Sequence, residues 1–149
     1  MGSNRVPVYK RILKEIKAKA RLYPGYADLH NQLGLLLMEE GNLDEAKGHF
    51  LKALRLNPHY HAASLNLGFL YIEQRRWKGA EEIFRRESGR GGKDGFLQYV
   101  LGQCYLRTGR RKEAAAQIRT ALRLHPSYRD YPGYDHKRGS SKEGARPSG

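Results

Sequence analysis

The chain has a single cysteine, Cys104, so an intramolecular disulfide is impossible and a cysteine-based metal site is disfavoured. No apolar run approaches the roughly 18 residues that a membrane span demands, which argues against an integral membrane protein. The opening Met1-Gly2-Ser3-Asn4 lacks the apolar stretch of a secretory signal, and Gly2-Ser3 is compatible with a cloning remnant, so the cytosol is the expected location. Acidic charge is scarce: 28 basic against 15 acidic side chains leave a net charge of +13. The surplus is uneven. Residues 1–22 carry seven basic and one acidic side chain, residues 23–87 eight and nine, residues 88–126 eight and two, and residues 127–149 five and three. Charge gathered at the ends leaves no continuous basic track of the kind a nucleic-acid backbone follows. A length of 149 residues fits one domain with one core.

What the sequence does have is a period. Adding 34 to Leu33-Gly34 gives Leu67-Gly68 and then Leu101-Gly102; Ala46 goes to Ala80 and Ala114, and Phe50 to Phe84 and Ile118. A fixed period of this length means one supersecondary unit stacked on copies of itself, because one unit cannot bury its own apolar face.

Each unit reads as two helices. Leu29, Leu33, Leu36 and Leu37 mark a helix over residues 27–40, which Gly41 ends in the left-handed conformation that glycine permits. Asn42-Leu43-Asp44-Glu45 has the spacing of a capping box opening the next helix, with Ala46, Phe50, Ala53 and Leu54 inward and Pro58 beyond its end. Gly34 and Ala46 suggest close approach of the paired helices, since neither carries a bulky side chain. In the second unit Arg75-Arg76-Trp77 stands where a glycine would fall, and its second helix is expected to end early in the glycine-rich residues 88–95, the most mobile internal stretch. Ahead of the first unit, residues 7–23 form an amphipathic helix with Ile12, Ile16 and Ala20 inward. Ile12 and Ile16 lie 34 residues before Ala46 and Phe50, so this helix is in register as the second half of a preceding unit and is expected to cap the array.

The expected organisation is a short disordered or tag-derived start over residues 1–6, the capping helix over 7–23, and three units within 24–126, at about 27–60, 61–94 and 95–126. A disordered basic tail is expected over 127–149, with Tyr128, Tyr131 and Tyr134 as candidates to cover the otherwise uncapped third unit.

With its Leu-Gly pair, an aromatic three residues beyond Gly68 and Gly102, alanine with an aromatic four later, and closing proline, the stretch from Pro7 to Pro126 resembles the tetratricopeptide repeat family. It departs from the pattern at His30, Ser64 and Gln98, where the family often has tryptophan, and at Leu37, Ile118 and Gly92. The resemblance implies an all-α, right-handed superhelix of three helix-turn-helix repeats after one N-terminal capping helix. Its first helices would line a concave groove that binds peptides or proteins. On that reading the groove residues are Asn31, Leu35, Met38 and Glu39; Leu65, Asn66, Phe69, Ile72 and Glu73; and Phe96, Tyr99, Gln103 and Arg107. Asn31 and Asn66 offer donor and acceptor together to an extended ligand backbone. Leu35, Leu65, Phe69 and Tyr99 would supply apolar contact. Some relatives grip a terminal carboxylate with basic residues on these helices. Here Glu39 and Glu73 stand instead, with the single Arg107, so the expected partner is a neutral or basic segment with apolar side chains.

No catalytic arrangement is legible, and no enzyme activity, cofactor or metal is expected. His59 and His61 lack a third ligand, His30 reads as a packing residue, and Cys104 as a small buried hydrophobe. Glu39-Glu40 and Glu81-Glu82 are adjacent on helices and point apart. The glycines of residues 89–95 follow no strand and no Gly-Lys-Ser/Thr ends them. The alternatives to groove binding are nucleic acid or acidic surfaces held by Lys10, Lys14, Lys17, Arg110, Arg111 and Lys112, and self-association through the third unit, as a symmetric dimer because like charge at both ends opposes head-to-tail stacking.

Overall fold

A computed structural model describes residues 6–91 and 94–130. Among them there are seven α-helices and no strand. Contacts divide the chain into two units, Met1–Arg90 and Gly91–Gly149.

The first unit begins with α1 (Val8–Leu22), α2 (Ala27–Glu39) and α3 (Leu43–Leu56), followed by α4 (His61–Glu73) and α5 (Trp77–Gly91). Its core takes one stripe from each helix: Leu13 and Ala20 of α1, Leu33 and Leu37 of α2, Ala46 and Phe50 of α3, Leu67 and Leu70 of α4, and Ile83 of α5. Apolar residues three or four apart share one helix face, so each stripe can bury itself only against a neighbour. α1 packs on α2, α2 on α3, and α3 on α4. The repeated glycine allows the tightest contact, though its partner is the aromatic residue rather than Ala46. A Cβ on Gly34 would run into the Phe50 ring, and one on Gly68 would lie 2.8 Å from Cζ of Phe84. Filling that space by substitution is overpacking and costs about 1–3 kcal/mol.

Three turns join first helices to second ones, and all three use a left-handed residue. Gly41 (φ 77°) and Gly109 (φ 80°) are joined at the equivalent position by Arg75 at φ 56°. Every turn closes with the same pair of bonds, as in Gly41 N–H to Met38 C=O and Asn42 N–H to Leu37 C=O, both 2.9 Å, and Arg76 N–H to Tyr71 C=O at 2.8 Å. Arg75 therefore accepts a conformation that costs a residue with a Cβ about 1–2 kcal/mol.

Three local expectations need correction. Ile12, expected inward on α1, is 42% exposed, and Leu13 takes the inward place. Asn42 does not cap α3 through its side chain: its ψ of 70° leaves it outside extended geometry, and its Nδ2 donates to Glu45 Oε2 at 2.8 Å instead. α5 does not end early but runs through Ser88, Gly89 and Arg90 to Gly91. Its last turns are tethered by Glu87, as described below. Of the stretch expected to be mobile, residues 92 and 93 lie outside the described residues.

The second unit pairs α6 (Gly95–Arg107) with α7 (Arg111–Leu124) and adds a 3-10 turn (Pro126–Asp130) packed on α7. Asp94 caps α6 by accepting the Phe96 N–H at 2.9 Å. The slot of Gly102 is filled by Ile118 Cγ1, 2.7 Å from where a Cβ would sit, with the Ala114 carbonyl oxygen at 3.3 Å. Cys104 is fully buried. The 3-10 turn brings Tyr128 to 5.5 Å from the Tyr99 ring and 5.3 Å from His125, so helical structure continues past Pro126 and this tyrosine lies against α6. Tyr131, Tyr134 and the rest of the expected tail lie outside the described residues.

Candidate functional site

The expected groove residues fall on α2 and α4 in the first unit and on α6 in the second. On α2, Leu35 is 42% exposed, Glu39 is exposed, and Met38 is half-buried against the core. Asn31 is buried. On α4, Leu65, Asn66, Phe69 and Ile72 are half-buried and Glu73 is exposed. Phe69 also meets the Phe84 ring edge-on at 5.1 Å, so part of its surface is committed to packing.

The two asparagines are brought together. Asn66 Nδ2 donates to Asn31 Oδ1 at 2.9 Å, Asn31 Nδ2 donates to the Tyr60 hydroxyl at 3.4 Å, and that hydroxyl donates to Asp28 Oδ1 at 2.7 Å. Gln32 Nε2 donates to the other Asp28 oxygen at 2.7 Å. Burial, then the hydrogen bond to Asp28 and its charge, raise the Tyr60 pKa, which keeps the phenol a neutral donor. All the bonds run in one sense, toward the carboxylate. An amide that donates through nitrogen becomes a better acceptor at oxygen. Asn31 is thus not a free contact for a ligand, as the sequence suggested, but the middle of a relay. The relay ends at Asn66, whose Oδ1 accepts no hydrogen bond among the described residues.

On α6, Phe96 is half-buried and Arg107 exposed, while Tyr99 is buried against Tyr128 rather than presented outward. Gln103 is half-buried, and its Nε2 is covered with no hydrogen-bond partner among the described residues. A covered donor without an acceptor costs about 1–3 kcal/mol.

Two clusters escaped the sequence reading. Glu87 lies 34 residues from both Ala53 and Ala121, each fully buried, yet it is itself buried as an acid. His61 Nδ1 donates to its Oε2 at 2.5 Å and Ser64 Oγ to its Oε1 at 2.8 Å, with Arg86 and Arg90 nitrogens 3.8 Å away. Burial pushes the Glu87 carboxyl up, but the bonds from His61 and Ser64 and the charges of His61 and Arg90 outweigh it and hold the pKa below the usual value. An acid in an alanine slot was the available signal. His61 spends Nδ1 on this carboxylate, which takes it out of any shared site with His59 through that atom. The second cluster is His30, buried as expected, whose Nε2 donates to the Pro24 carbonyl at 2.8 Å. Its Nδ1 is therefore left to accept from His49 Nδ1, 3.2 Å away in a stacked ring pair. Burial first, then the positive charge that His30 carries when protonated, lower the His49 pKa.

Comparison with known proteins bears on the same helices. Two family profiles, each described as Tetratricopeptide repeat, match residues 37–86 and 95–128, together more than half the chain. The uncharacterized protein ycf37 of Pyropia yezoensis is 38% identical over 58 residues, which is 39% of this chain and 33% of that protein. Among solved structures, a MamA RS-1 ArsTM double mutant superposes with a TM-score of 0.75 at 23% identity, over 79% of this chain and 66% of that one. MamA 41-end from Desulfovibrio magneticus RS-1 gives 0.75 at 22% identity, over 80% and 68%. YrrB, described as a TPR protein with an unusual peptide-binding site, gives 0.68 at 22%, over 77% and 59%. At these identities the structural likeness speaks for the fold, and the chain spans about two thirds or less of most of these relatives. With the 34-residue period, the helix pairs and the matching profiles in agreement, the chain belongs to the tetratricopeptide repeat family.

Proposed function

We propose that this chain is a cytoplasmic interaction scaffold whose first helices hold an extended peptide or protein segment. The observation that carries the reading is the relay from Asp28 through Tyr60 and Asn31 to Asn66, which holds an amide in place and leaves its oxygen as an acceptor for a ligand N–H. The exposed Leu35 and half-buried Leu65 and Phe69 provide apolar contact in the first unit, and exposed Glu39 and Glu73 favour a neutral or basic partner over an acidic one. The likeness to YrrB, itself described as having a peptide-binding site, is consistent with this use of the fold.

The reading is tested by selecting binders from a random peptide library and titrating them calorimetrically against the full chain. Asn66→Ala and Phe69→Ala should each weaken binding about tenfold, a loss near 1.4 kcal/mol, with helical circular dichroism unchanged. Binding that survives both substitutions at full strength removes the groove assignment.

A further inference from the structure

α1 carries a feature that capping does not require. Lys10, Lys14, Lys17 and Arg21 are spaced by four, three and four residues. At about 100° per residue they fall within roughly 60° of one another, a straight stripe about 16 Å long. Lys10, Lys14 and Arg21 are exposed and Lys17 is half-buried. The stripe borders a shallow depression of about 440 Å³ that also includes Leu13 and Ala18, with Glu40, just past the end of α2, among its lining residues.

We propose that this stripe docks an acidic helix of a partner protein, one that carries carboxylates at the same four-three-four spacing along one face. Charge complementarity requires an anion, and three properties select among anions. The spacing of the cations is that of one helix face, so a helix lying alongside presents carboxylates in step with them, as the flanking charges of paired helices do. The depression is concave and partly apolar, which suits a ridge of side chains. A flat bilayer would also have to leave the exposed Val8 and Ile12 in water, because they lie roughly opposite the stripe on α1. Finally, Glu40 repels a phosphate backbone, which carries charge at every step, whereas a polypeptide can place a neutral or basic residue opposite it. The site is separate from the first-helix groove and uses none of its residues.

The test is fluorescence anisotropy on the full chain at low salt with two labelled alanine-rich helical peptides of identical composition. One has four glutamates in the four-three-four pattern, and the other has them scattered around the helix. Vesicles of phosphatidylcholine with phosphatidylserine and a single-stranded oligothymidylate serve as competing anions. The patterned peptide should bind about tenfold more tightly than the scattered one and more tightly than either other anion. The paired substitution Lys14→Gln with Lys17→Gln should erase that preference, Asn66→Ala should leave it intact, and Glu40→Gln should raise affinity for the oligonucleotide. Equal binding of the two peptides, stronger binding of vesicles or oligonucleotide, or full affinity in the double glutamine variant would each overturn the proposal.

Discussion

At the scale of single residues, two positions are set against their own preferences. His49 is held beside His30, and its pKa lies below 6.5 because burial and then the neighbouring imidazole disfavour its charge. A depressed pKa means the unfolded chain binds the proton more readily, so the contribution is complete above the unfolded value and is lost as pH falls below about 6.5 toward the folded one. Chemical denaturation at pH 8 and pH 5.5 should show the wild type losing stability across that interval. His49→Ile, which installs the residue found 34 positions on at Ile83, should lose less; an equal loss in both would assign the effect elsewhere. Arg75 is the other case. Its left-handed φ of 56° is occupied by glycine in the two sister turns, so Arg75→Gly should stabilise the chain by about 1 kcal/mol in the same assay. A drop in stability would mean that contacts of the Arg75 side chain outweigh the backbone strain.

Among elements, α5 is where the residues and the helix most disagree. Two glycines near its end argue for early fraying, yet the helix reaches Gly91. Glu87 supplies the difference: buried and bonded to His61 and Ser64 on the first turns of α4, it anchors the last turns of α5 across the hairpin. Glu87→Gln keeps the shape and removes the charge. It should cost about 1–2 kcal/mol at neutral pH, a reduced figure because His61 is largely exposed to solvent. The Glu87 pKa is lowered, so the stabilisation is present above the unfolded carboxylate value and disappears as pH falls through the folded one. Wild type and variant should therefore converge in acid, and amide exchange at residues 88–91 should quicken in the variant at neutral pH. A constant gap at all pH values would separate the effect from this carboxylate. None of this was legible beforehand. Position 87 lies one period beyond the inward Ala53, but an acid there makes sense only once residues 23 and 26 positions away are seen to face it.

For the whole molecule, the fold was readable because the information that specifies it is repeated. Leu33, Gly34, Ala46 and Phe50 and their counterparts every 34 residues state one helix pair three times, and a stripe that fails in one unit is restated in the next. That redundancy placed the helices and the left-handed turn at Gly41, and the sequence also put His30 and Cys104 inside. It could not place what is not repeated. Asn31 and Asn66 are 35 residues apart rather than 34, and Tyr60 belongs to a turn, so their joining depends on side-chain geometry that no period encodes. Tyr99 is covered for a similar reason, since Tyr128 follows the last repeated helix and packs against that ring. A repeat thus predicts which helices offer a surface, and its departures from repetition give that surface its chemistry.

The most direct test of this account is a titration of the isotopically labelled full chain with a library-selected peptide, followed by amide and side-chain amide NMR shifts. Perturbations are expected to concentrate on α2 and α4, with the Asn66 side-chain amide among the largest. Shifts gathered instead on α3 and α5, with that amide unmoved, would overturn the groove assignment.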